Sequence, residues 1–372
     1  MNTKSILHKT LDLALSLKRP HKSKTNKQFT EWLANALPEH LWNNVHIDEV
    51  GNLHVDARIN PTNRTLFVAH VDTVHKTEGK NKITKTKTEW KANGAPLGAD
   101  DGAGVAMLMH LIHGGVAAYY IFTQGEECGG IGATHIATQN KTLLAQFDRA
   151  IAFDRRGIES VITHQGWSRC CSDAFAEGLS DALNGDDRLM YLPDDTGVYT
   201  DTAEFVDIIP ECTNISVGYY SEHSDKESLD IVHFQTLASQ VLAINWDALP
   251  TDRDPTIKED KSSRYDYVGV AGWSSGYSAM FSKPWGGEEH DLAEYMRYEL
   301  EDALRTAQDG DYEWLLEMMA ESVYPEDMDL AVRFIDKRKL TFDVLDDALY
   351  MLESNDPDAV LATLFDEAYA TV

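Results

Sequence analysis

Gly98-Ala99-Asp100-Asp101-Gly102-Ala103-Gly104 is a glycine-rich turn with two consecutive carboxylates, and an apolar run at residues 105–109 follows it directly. Small residues allow the backbone to turn sharply and to approach another group closely. Adjacent carboxylates repel each other, so the pair needs a stabilising partner. Two interpretations fit the turn taken alone: an Asp side chain caps a helix, or the carboxylates help to bind a cation. The segments on either side of the turn decide between them.

Apolar strands alternate with helical patterns around this turn. Strands are predicted at residues 65–70, 116–123, 150–154 and 214–219, helices at residues 101–113, 172–183 and 226–246, and a Gly-rich loop with a helix at residues 129–140. Continuous apolar strands that alternate with helices are typical of a sheet that is buried on both faces. We therefore predict an α/β fold with a mixed, mostly parallel central sheet, helices on both faces and an additional C-terminal all-α bundle.

The composition changes after residue 250. Residues 251–285 show no clear hydrophobic period, and we predict a linker or extended arm there. Residues 286–372 show apolar residues at helical spacing and contain 24 Asp and Glu against 6 Lys and Arg, a net charge of −18. We predict three parts: an α/β domain at residues 1–250, the linker at 251–285 and an acidic helical domain at 286–372.

The net charge of the whole chain is −28, and this limits its partners. Nucleic acids and anionic membranes would be repelled, so we expect neither as a partner. No apolar run approaches the roughly 20 residues that a membrane helix needs, and charges interrupt the N-terminal apolar residues, so we expect no signal peptide. The spacing of Cys128, Cys170, Cys171 and Cys212 favours reduced thiols and a cytoplasmic protein.

A basic stretch near the N-terminus contains Lys18, Arg19, His21, Lys22, Lys24 and Lys27. We interpret it as a solvated loop between two helices. A docking surface is the alternative.

Polar residues follow the predicted strands at the points where the strands end. His70 ends one strand, Glu126 and Glu127 follow the next, Asp154 ends a third, and His223 follows a fourth. In α/β sheets, ligands bind at the carboxyl ends of the strands. These side chains are therefore expected to lie together.

Five segments supply metal-ligand types in the order His, Asp, Glu, Asp, His. They are Ala69-His70-Val71-Asp72-Thr73, Gly98-Ala99-Asp100-Asp101, Gly125-Glu126-Glu127-Cys128-Gly129, Ala152-Phe153-Asp154-Arg155 and Ser221-Glu222-His223-Ser224. Imidazole and carboxylate together suit zinc, or cobalt and manganese in the same geometry. One carboxylate can bridge two ions about 3.5–4 Å apart.

Gly272-Trp273-Ser274-Ser275-Gly276 fits the Gly-x-Ser-x-Gly pattern of serine hydrolases. That pattern needs a strand before it, a helix after it, and then an acid and a His in that order. The only later His is His290, which follows closely without a clear intervening helix. We interpret the segment as a Gly/Ser loop.

The ordered set of five segments resembles the co-catalytic di-zinc peptidase superfamily of aminopeptidases, carboxypeptidases and aminoacylases. The resemblance covers residues 65–246. Thr200-Asp201-Thr202-Ala203-Glu204-Phe205 and the segment from His223 to Asp230 are similar to motifs of the single-domain aminopeptidases, although Thr202 replaces a His. The interval from Asp154 to Asp201 is too short for the lid domain of carboxypeptidase-like members. The aminopeptidase branch is therefore the best match.

The resemblance implies a role for each matching residue and two bound Zn²⁺ ions, with Co²⁺ or Mn²⁺ as alternatives. It implies that His70 and Asp154 bind one metal, that Glu127 and His223 bind the other, that Asp100 bridges them, that Asp72 orients His70, and that Glu126 is the general base for a bridging water. Asp101 matches a position that usually follows a cis peptide bond in the family. Candidates for substrate contact are Arg155, Arg156, Asp201 and His164.

Three functions remain open at this point. The first is an aminopeptidase with a peptide substrate. The second is an N-acyl amino acid amidohydrolase or a carboxypeptidase with the same metal site. The third is an inactive binding protein whose acidic C-terminal bundle docks a basic partner. The bundle is also a candidate surface for homo-oligomers.

Overall fold

The computed structural model describes residues 3–165 and 168–257, and within the C-terminal region residues 300, 303–305, 307, 315, 342–352, 360, 363 and 364. Sixteen strands occur in the described residues, which are β1 Leu17–Lys18, β2 Val45–Ile47, β3 Leu53–Asp56, β4 Thr65–His70, β5 Gly79–Lys80, β6 Ile83–Lys85, β7 Glu89–Ala92, β8 Tyr119–Thr123, β9 Arg149–Arg155, β10 Ser160–Ile162, β11 His164–Gln165, β12 Ser168–Arg169, β13 Leu192–Asp194, β14 Glu211–Ser216, β15 Tyr219–Tyr220 and β16 Ser228–Asp230.

The α-helices in the same residues are α1 Thr3–Leu15, α2 Lys24–Ala36, α3 Ala99–His113, α4 Ile131–Gln139, α5 Lys141–Leu144, α6 Asp173–Leu183, α7 Ile231–Gln240 and α8 Phe342–Leu352. Short 3-10 helices cover Glu39–Asn44, Glu126–Cys128, Asp201–Phe205 and Trp246–Ala248. No helix in the described residues is long and apolar enough to span a membrane.

The central sheet has eight strands in the order β13-β10-β14-β9-β4-β8-β3-β2. Its middle four strands, β14, β9, β4 and β8, are parallel to one another. The β10–β14, β8–β3 and β3–β2 pairs are antiparallel. The predicted mixed, mostly parallel sheet is thereby confirmed.

The two faces of β4 show why this sheet is buried on both sides. Leu66 and Val68 join one apolar cluster, which also contains residues of α4 and α5. Phe67 and Ala69 point the other way, into a cluster that contains residues of α1, α3, α6 and α7. Because successive side chains alternate between faces, a strand between two helical layers must be apolar at every position.

The chain divides into two compact units, residues 1–276 and 277–372. In the second unit, Leu300, Ala303, Leu304, Ala307, Leu315, Leu345, Ala348, Leu352, Val360 and Leu364 form an apolar core of their own. Most of the predicted linker at 251–285 lies outside the described residues, as does much of the predicted bundle at 286–372. The three-part division therefore stays a prediction.

His233 makes the first unit sensitive to acid. It is buried in α7, and its Nε2 lies 2.9 Å from the Tyr191 hydroxyl, which itself donates to the Ser216 carbonyl at 2.6 Å. Burial lowers the pKa of His233 from 6.5 to about 4. The unfolded chain therefore binds this proton at a higher pH than the folded chain, so stability falls as the pH drops from 6.5 towards 4.

We expect His233→Gln to remove this part of the acid sensitivity, because Gln keeps an amide donor and does not titrate. Urea unfolding at pH 7 and at about pH 4.5 measures the effect. Wild type should lose on the order of 2 kcal/mol more than the variant between these pH values. An equal acid-induced loss in both proteins would contradict this assignment.

Candidate metal centre

The five segments with metal-ligand types meet at one edge of the central sheet. His70 is the last residue of β4, and Asp154 is next to last in β9. Glu126 and Glu127 lie in the 3-10 helix that follows β8. Because β9, β4 and β8 are parallel neighbours, their carboxyl ends lie side by side.

The carboxylate of Asp100 is in contact with two histidines. Its Oδ1 lies 2.9 Å from Nε2 of His70, and its Oδ2 lies 3.1 Å from Nε2 of His223. The same nitrogen of His223 lies 3.1 Å from Oε2 of Glu127. Nε2 of His70 lies 3.7 Å from Oδ1 of Asp154. Asp100 is thus common to two groups of donor atoms.

The structure contains two donor sets that share Asp100: His70, Asp100 and Asp154, and Asp100, Glu127 and His223. Within each set the donor atoms all lie within 4.8 Å of one another. A third set joins His70 to Glu126 and Glu127. Imidazole with two carboxylates is a donor combination that zinc accepts.

The electrostatics of the site also fit a cation. Burial raises the pKa of Glu127 to about 7, and the nearby Asp100 carboxylate adds to the shift. Burial and the Asp100 carboxylate likewise raise the pKa of Asp154. Oε1 of Glu127 is buried without a hydrogen-bond partner. A bound cation would offset this crowding of negative charge, so the residues present fit a metal centre.

Asp72 holds the loop that carries the two glutamates. Its Oδ1 accepts hydrogen bonds from the backbone N–H of Gly125 at 2.7 Å and of Glu126 at 3.3 Å. Nδ1 of His70 lies 3.2 Å from the backbone carbonyl of Asp72 and 3.8 Å from its carboxylate. Asp72 thus contacts His70 most closely through its main chain, whereas the sequence prediction assigned this contact to the carboxylate.

Asp101 joins the start of α3 to the end of β4. Its carboxylate accepts from the backbone N–H of Gly104 at 2.8 Å and of His70 at 3.2 Å. A Cβ atom on Gly104 would lie 2.3 Å from Asp101 Oδ1, so this turn requires glycine. The Asp100–Asp101 peptide bond is cis, as the family resemblance implies.

Comparison with known proteins supports the fold described above and finds a similarity to a peptidase family. Residues 52–207 match the model of Peptidase family M28. This segment of the chain is therefore similar to the M28 peptidases. No curated protein matches the chain at a significant level. The match includes His70, Asp100, both glutamates and Asp154, and it ends before His223.

Solved structures share the fold of this chain over about two thirds of its length, at low sequence identity. Aminopeptidase PepT from Bacillus cereus ATCC 10987 is 12% identical, with a TM-score of 0.54, over 65% of this chain and 98% of that chain. A tripeptidase from Staphylococcus aureus subsp. aureus Mu50 is 16% identical, with a TM-score of 0.52, over 65% and 97% of the two chains. An aminopeptidase from Desulfurococcus kamchatkensis is 13% identical, with a TM-score of 0.50, over 65% and 94%.

Glu227 positions the segment that carries Asp100. The side chain is buried, and it accepts hydrogen bonds from the backbone N–H groups of Gly98, Ala99 and Asp100 at 3.0, 2.7 and 3.1 Å. Glu227 thereby ties the Asp100 turn to the chain four residues beyond His223. Glu227 lies in the segment from His223 to Asp230 that is similar to a family motif, and the resemblance implied no role for it.

Two hydroxyl groups fix the carboxylate of Asp154. Thr200 Oγ1 donates to its Oδ2 at 2.7 Å, and Tyr219 donates to its Oδ1 at 3.1 Å. The amide of Asn214 donates to the Asp154 carbonyl at 2.7 Å. These partners lie 46 to 65 residues further along the chain, so the segment around Asp154 does not by itself reveal them.

The predicted substrate-contact residues occupy different environments. Arg155 donates from Nη2 to the carbonyl and hydroxyl of Thr196 at 3.2 and 2.9 Å, and Arg156 lies 3.5 Å from Glu222. Both arginines therefore have partners within the chain.

Asp201 is buried and accepts a hydrogen bond from the Thr123 hydroxyl. Burial and the neighbouring Asp154 and Asp72 carboxylates raise its pKa to about 7. His164 instead lines an open cavity of about 420 Å³ together with Arg169, Asp173 and Asp194. None of these residues belongs to the donor sets. Asp201 therefore lies near the acidic residues of the site, whereas His164 does not.

Proposed function

We propose that the first unit of this chain is an M28-type aminopeptidase that binds two zinc ions on either side of Asp100 and uses Glu126 as its general base. The observation that carries this proposal is the position of Asp100, whose two carboxylate oxygens face the imidazoles of His70 and His223 at 2.9 and 3.1 Å. A carboxylate shared by two donor sets is the arrangement that a two-metal site needs.

The two donor sets define which residues would hold each ion. His70 and Asp154 would hold one, Glu127 and His223 would hold the other, and Asp100 would contact both. The ions would supply Lewis acidity, which polarises a substrate carbonyl and lowers the pKa of water. The hydroxyls of Thr200 and Tyr219 keep the Asp154 carboxylate oriented towards His70.

Glu126 lies beside this centre, and we propose that it moves protons there. Its Oε2 lies 3.8 Å from Nε2 of His70, and it belongs to neither of the sets that share Asp100. The Asp72 carboxylate holds the backbone of Glu126 in place. Burial raises the pKa of Glu126, with the Asp154 carboxylate adding to the shift. Glu126 would take a proton from the attacking water and pass it to the leaving amine.

Release of N-terminal residues is the activity that the comparisons favour. Two of the solved structures that share the fold are described as aminopeptidases and one as a tripeptidase. Between Asp154 and Asp201 the described residues form β10–β13 and α6. β10 and β13 belong to the central sheet, and all of these elements lie in the first unit. A lid domain of the carboxypeptidase type would not fit into this interval.

A substrate panel with the purified full-length protein tests the proposal. It contains aminoacyl p-nitroanilides, dipeptides and tripeptides with free amino termini, N-acetyl amino acids and N-blocked peptides with free carboxyl termini. We expect hydrolysis of the first two groups, with activity lost after chelation and restored by Zn²⁺. Cleavage confined to N-acetyl amino acids would indicate a deacylase, and release of C-terminal residues would indicate a carboxypeptidase.

The remaining partner predictions are separate from this activity. A homo-oligomer or a basic partner held by the acidic C-terminal region stays a prediction, and so does a cytoplasmic location. A protein that binds zinc but hydrolyses no member of the panel would favour the binding-protein alternative.

A further inference from the structure

Arg19 does not lie in a solvated basic loop, as the sequence suggested, but in the core of the first unit. Its side chain is fully buried. The guanidinium carbon lies 4.8 Å from the centre of the Phe29 ring. No carboxylate among the residues that the structure describes forms a direct ion pair with it. A buried guanidinium without a direct counter-ion is costly, so its surroundings must stabilise it in another way.

The hydrogen bonds of Arg19 converge on the chain that follows His70. Nε donates to the Val71 carbonyl at 2.8 Å, and Nη1 donates to the Ala14 carbonyl. The backbone N–H of Arg19 donates to Oγ1 of Thr73 at 3.1 Å, and the N–H of Thr73 donates to the Arg19 carbonyl at 3.0 Å. Arg19 thus holds both neighbours of Asp72.

The carboxylates that most strongly favour the charged form of Arg19 lie in and around the candidate metal centre. Burial lowers the pKa of Arg19 to about 10, while the carboxylates of Asp72, Asp101, Glu227 and Asp100 oppose that shift. Arg19 therefore stays charged at neutral pH. Its Nη2 is buried without a hydrogen-bond partner, and it would lie 3.3 Å from a Cβ atom placed on Gly102, in the first turn of α3. The guanidinium lies behind the turn that carries Asp100 and Asp101.

We propose that Arg19 is an internal counter-cation and positioning residue of the metal centre. It offsets the charge of the surrounding carboxylates before metal binds, and it fixes the turn between His70 and Thr73. This inference rests on the proposed function, because it assumes that the centre binds metal cations.

We expect the loss of stability on removing the Arg19 guanidinium to depend on whether metal is bound. In the metal-free protein Arg19 is the buried cation behind the acidic residues, whereas in the metal-loaded protein the ions share that role. Loss of the guanidinium should therefore destabilise the metal-free protein more than the metal-loaded one. An arginine that only fills space in the core would affect both forms equally.

Arg19→Met tests this, because Met retains much of the apolar volume beside Phe29. Arg149→Met is the matched control: Arg149 is also buried, but it lies at the start of β9 and donates to Leu249 and Thr251. Thermal unfolding of the full-length proteins is measured after chelation and again with Zn²⁺ added. We expect the Tm of Arg19→Met to fall by roughly 5 °C or more further in the metal-free form than with Zn²⁺. The Tm of Arg149→Met should fall by the same amount in the metal-free form and with Zn²⁺.

Arg19→Lys separates charge from geometry. Lys keeps the positive charge, so it should recover most of the metal-free Tm, but it cannot reproduce the hydrogen bonds of the guanidinium. Both Arg19 variants should therefore show kcat reduced about 10-fold or more, with KM changed less than kcat.

Two results would overturn the inference about Arg19. One is a Tm loss for Arg19→Met that is the same with and without Zn²⁺. The other is a wild-type kcat in both variants. If Zn²⁺ does not raise the Tm of the wild-type protein, the proposed metal centre itself fails, and that outcome is distinct from both.

Discussion

Glu126→Gln should retain the bound zinc and lower kcat by at least about 10²-fold. Gln has the size of Glu and keeps an oxygen acceptor, but it cannot take up the proton from the attacking water. Metal is expected to remain because Glu126 belongs to neither donor set that shares Asp100. KM should change little, since the amide occupies the same space. The rate with an aminoacyl p-nitroanilide and the zinc content per chain are measured on the same preparation.

Glu89→Gln is the matched control for this substitution. Glu89 pairs with Lys91 at 3.0 Å on the surface, so the same chemical change there should leave kcat unaltered. Two outcomes would contradict the role of Glu126. Unchanged turnover would exclude it as the general base, and loss of zinc would make it a ligand, as the third donor set with His70 and Glu127 allows.

Asp100→Asn is expected to be the most damaging substitution. Asn keeps the shape of Asp, but it loses the negative charge and replaces one oxygen with an amide nitrogen that cannot bind a cation. Because Asp100 faces both histidines, its substitution should weaken both donor sets. We expect at least one zinc per chain to be lost and kcat/KM to fall on the order of 10³-fold, which corresponds to a few kcal/mol of transition-state stabilisation.

Asp186→Asn provides the control for Asp100→Asn. Asp186 lies in an exposed turn and pairs with Arg188 at 2.7 Å, so its substitution should change neither metal content nor rate. Circular dichroism checks that Asp100→Asn is folded. A folded Asp100→Asn protein with full zinc content and wild-type activity would show that Asp100 is not shared between two ions.

The sequence made the central strands and their polar ends predictable for a physical reason. β4, β8 and β9 are buried on both faces, so they read as continuous apolar runs. Parallel neighbours bring their carboxyl ends together, so the sequence alone predicts that His70, Asp154 and the two glutamates lie at one edge. The Asp100–Asp101 turn is both a helix start and part of the candidate metal centre, so its two interpretations are compatible.

Local patterns were less informative where distant contacts decide the structure. The predicted helix at 226–246 begins only at Ile231, because Asp230 caps it and accepts from the N–H groups of Val232 and His233. Residues 228–230 pair instead with β7, more than 130 residues away. The hydrophobic period runs through both elements and does not show the boundary.

Arg19 illustrates the same limit for charged residues. It lies among lysines, and composition alone places such a residue in solvent. Its main partners in the turn after His70 are 52 to 54 residues away, so only the fold reveals its buried position. The Asp72 carboxylate likewise binds a loop more than 50 residues downstream, which a motif centred on His70 does not reveal.

Zinc titration of the chelator-treated wild-type protein, followed by calorimetry and by aminopeptidase activity, tests the central claim most directly. The claim is that one chain holds two cations that share Asp100. We predict saturation at two equivalents of Zn²⁺ per chain, with full activity at that point. Saturation at one equivalent with full activity, or no zinc binding at all, would contradict the claim.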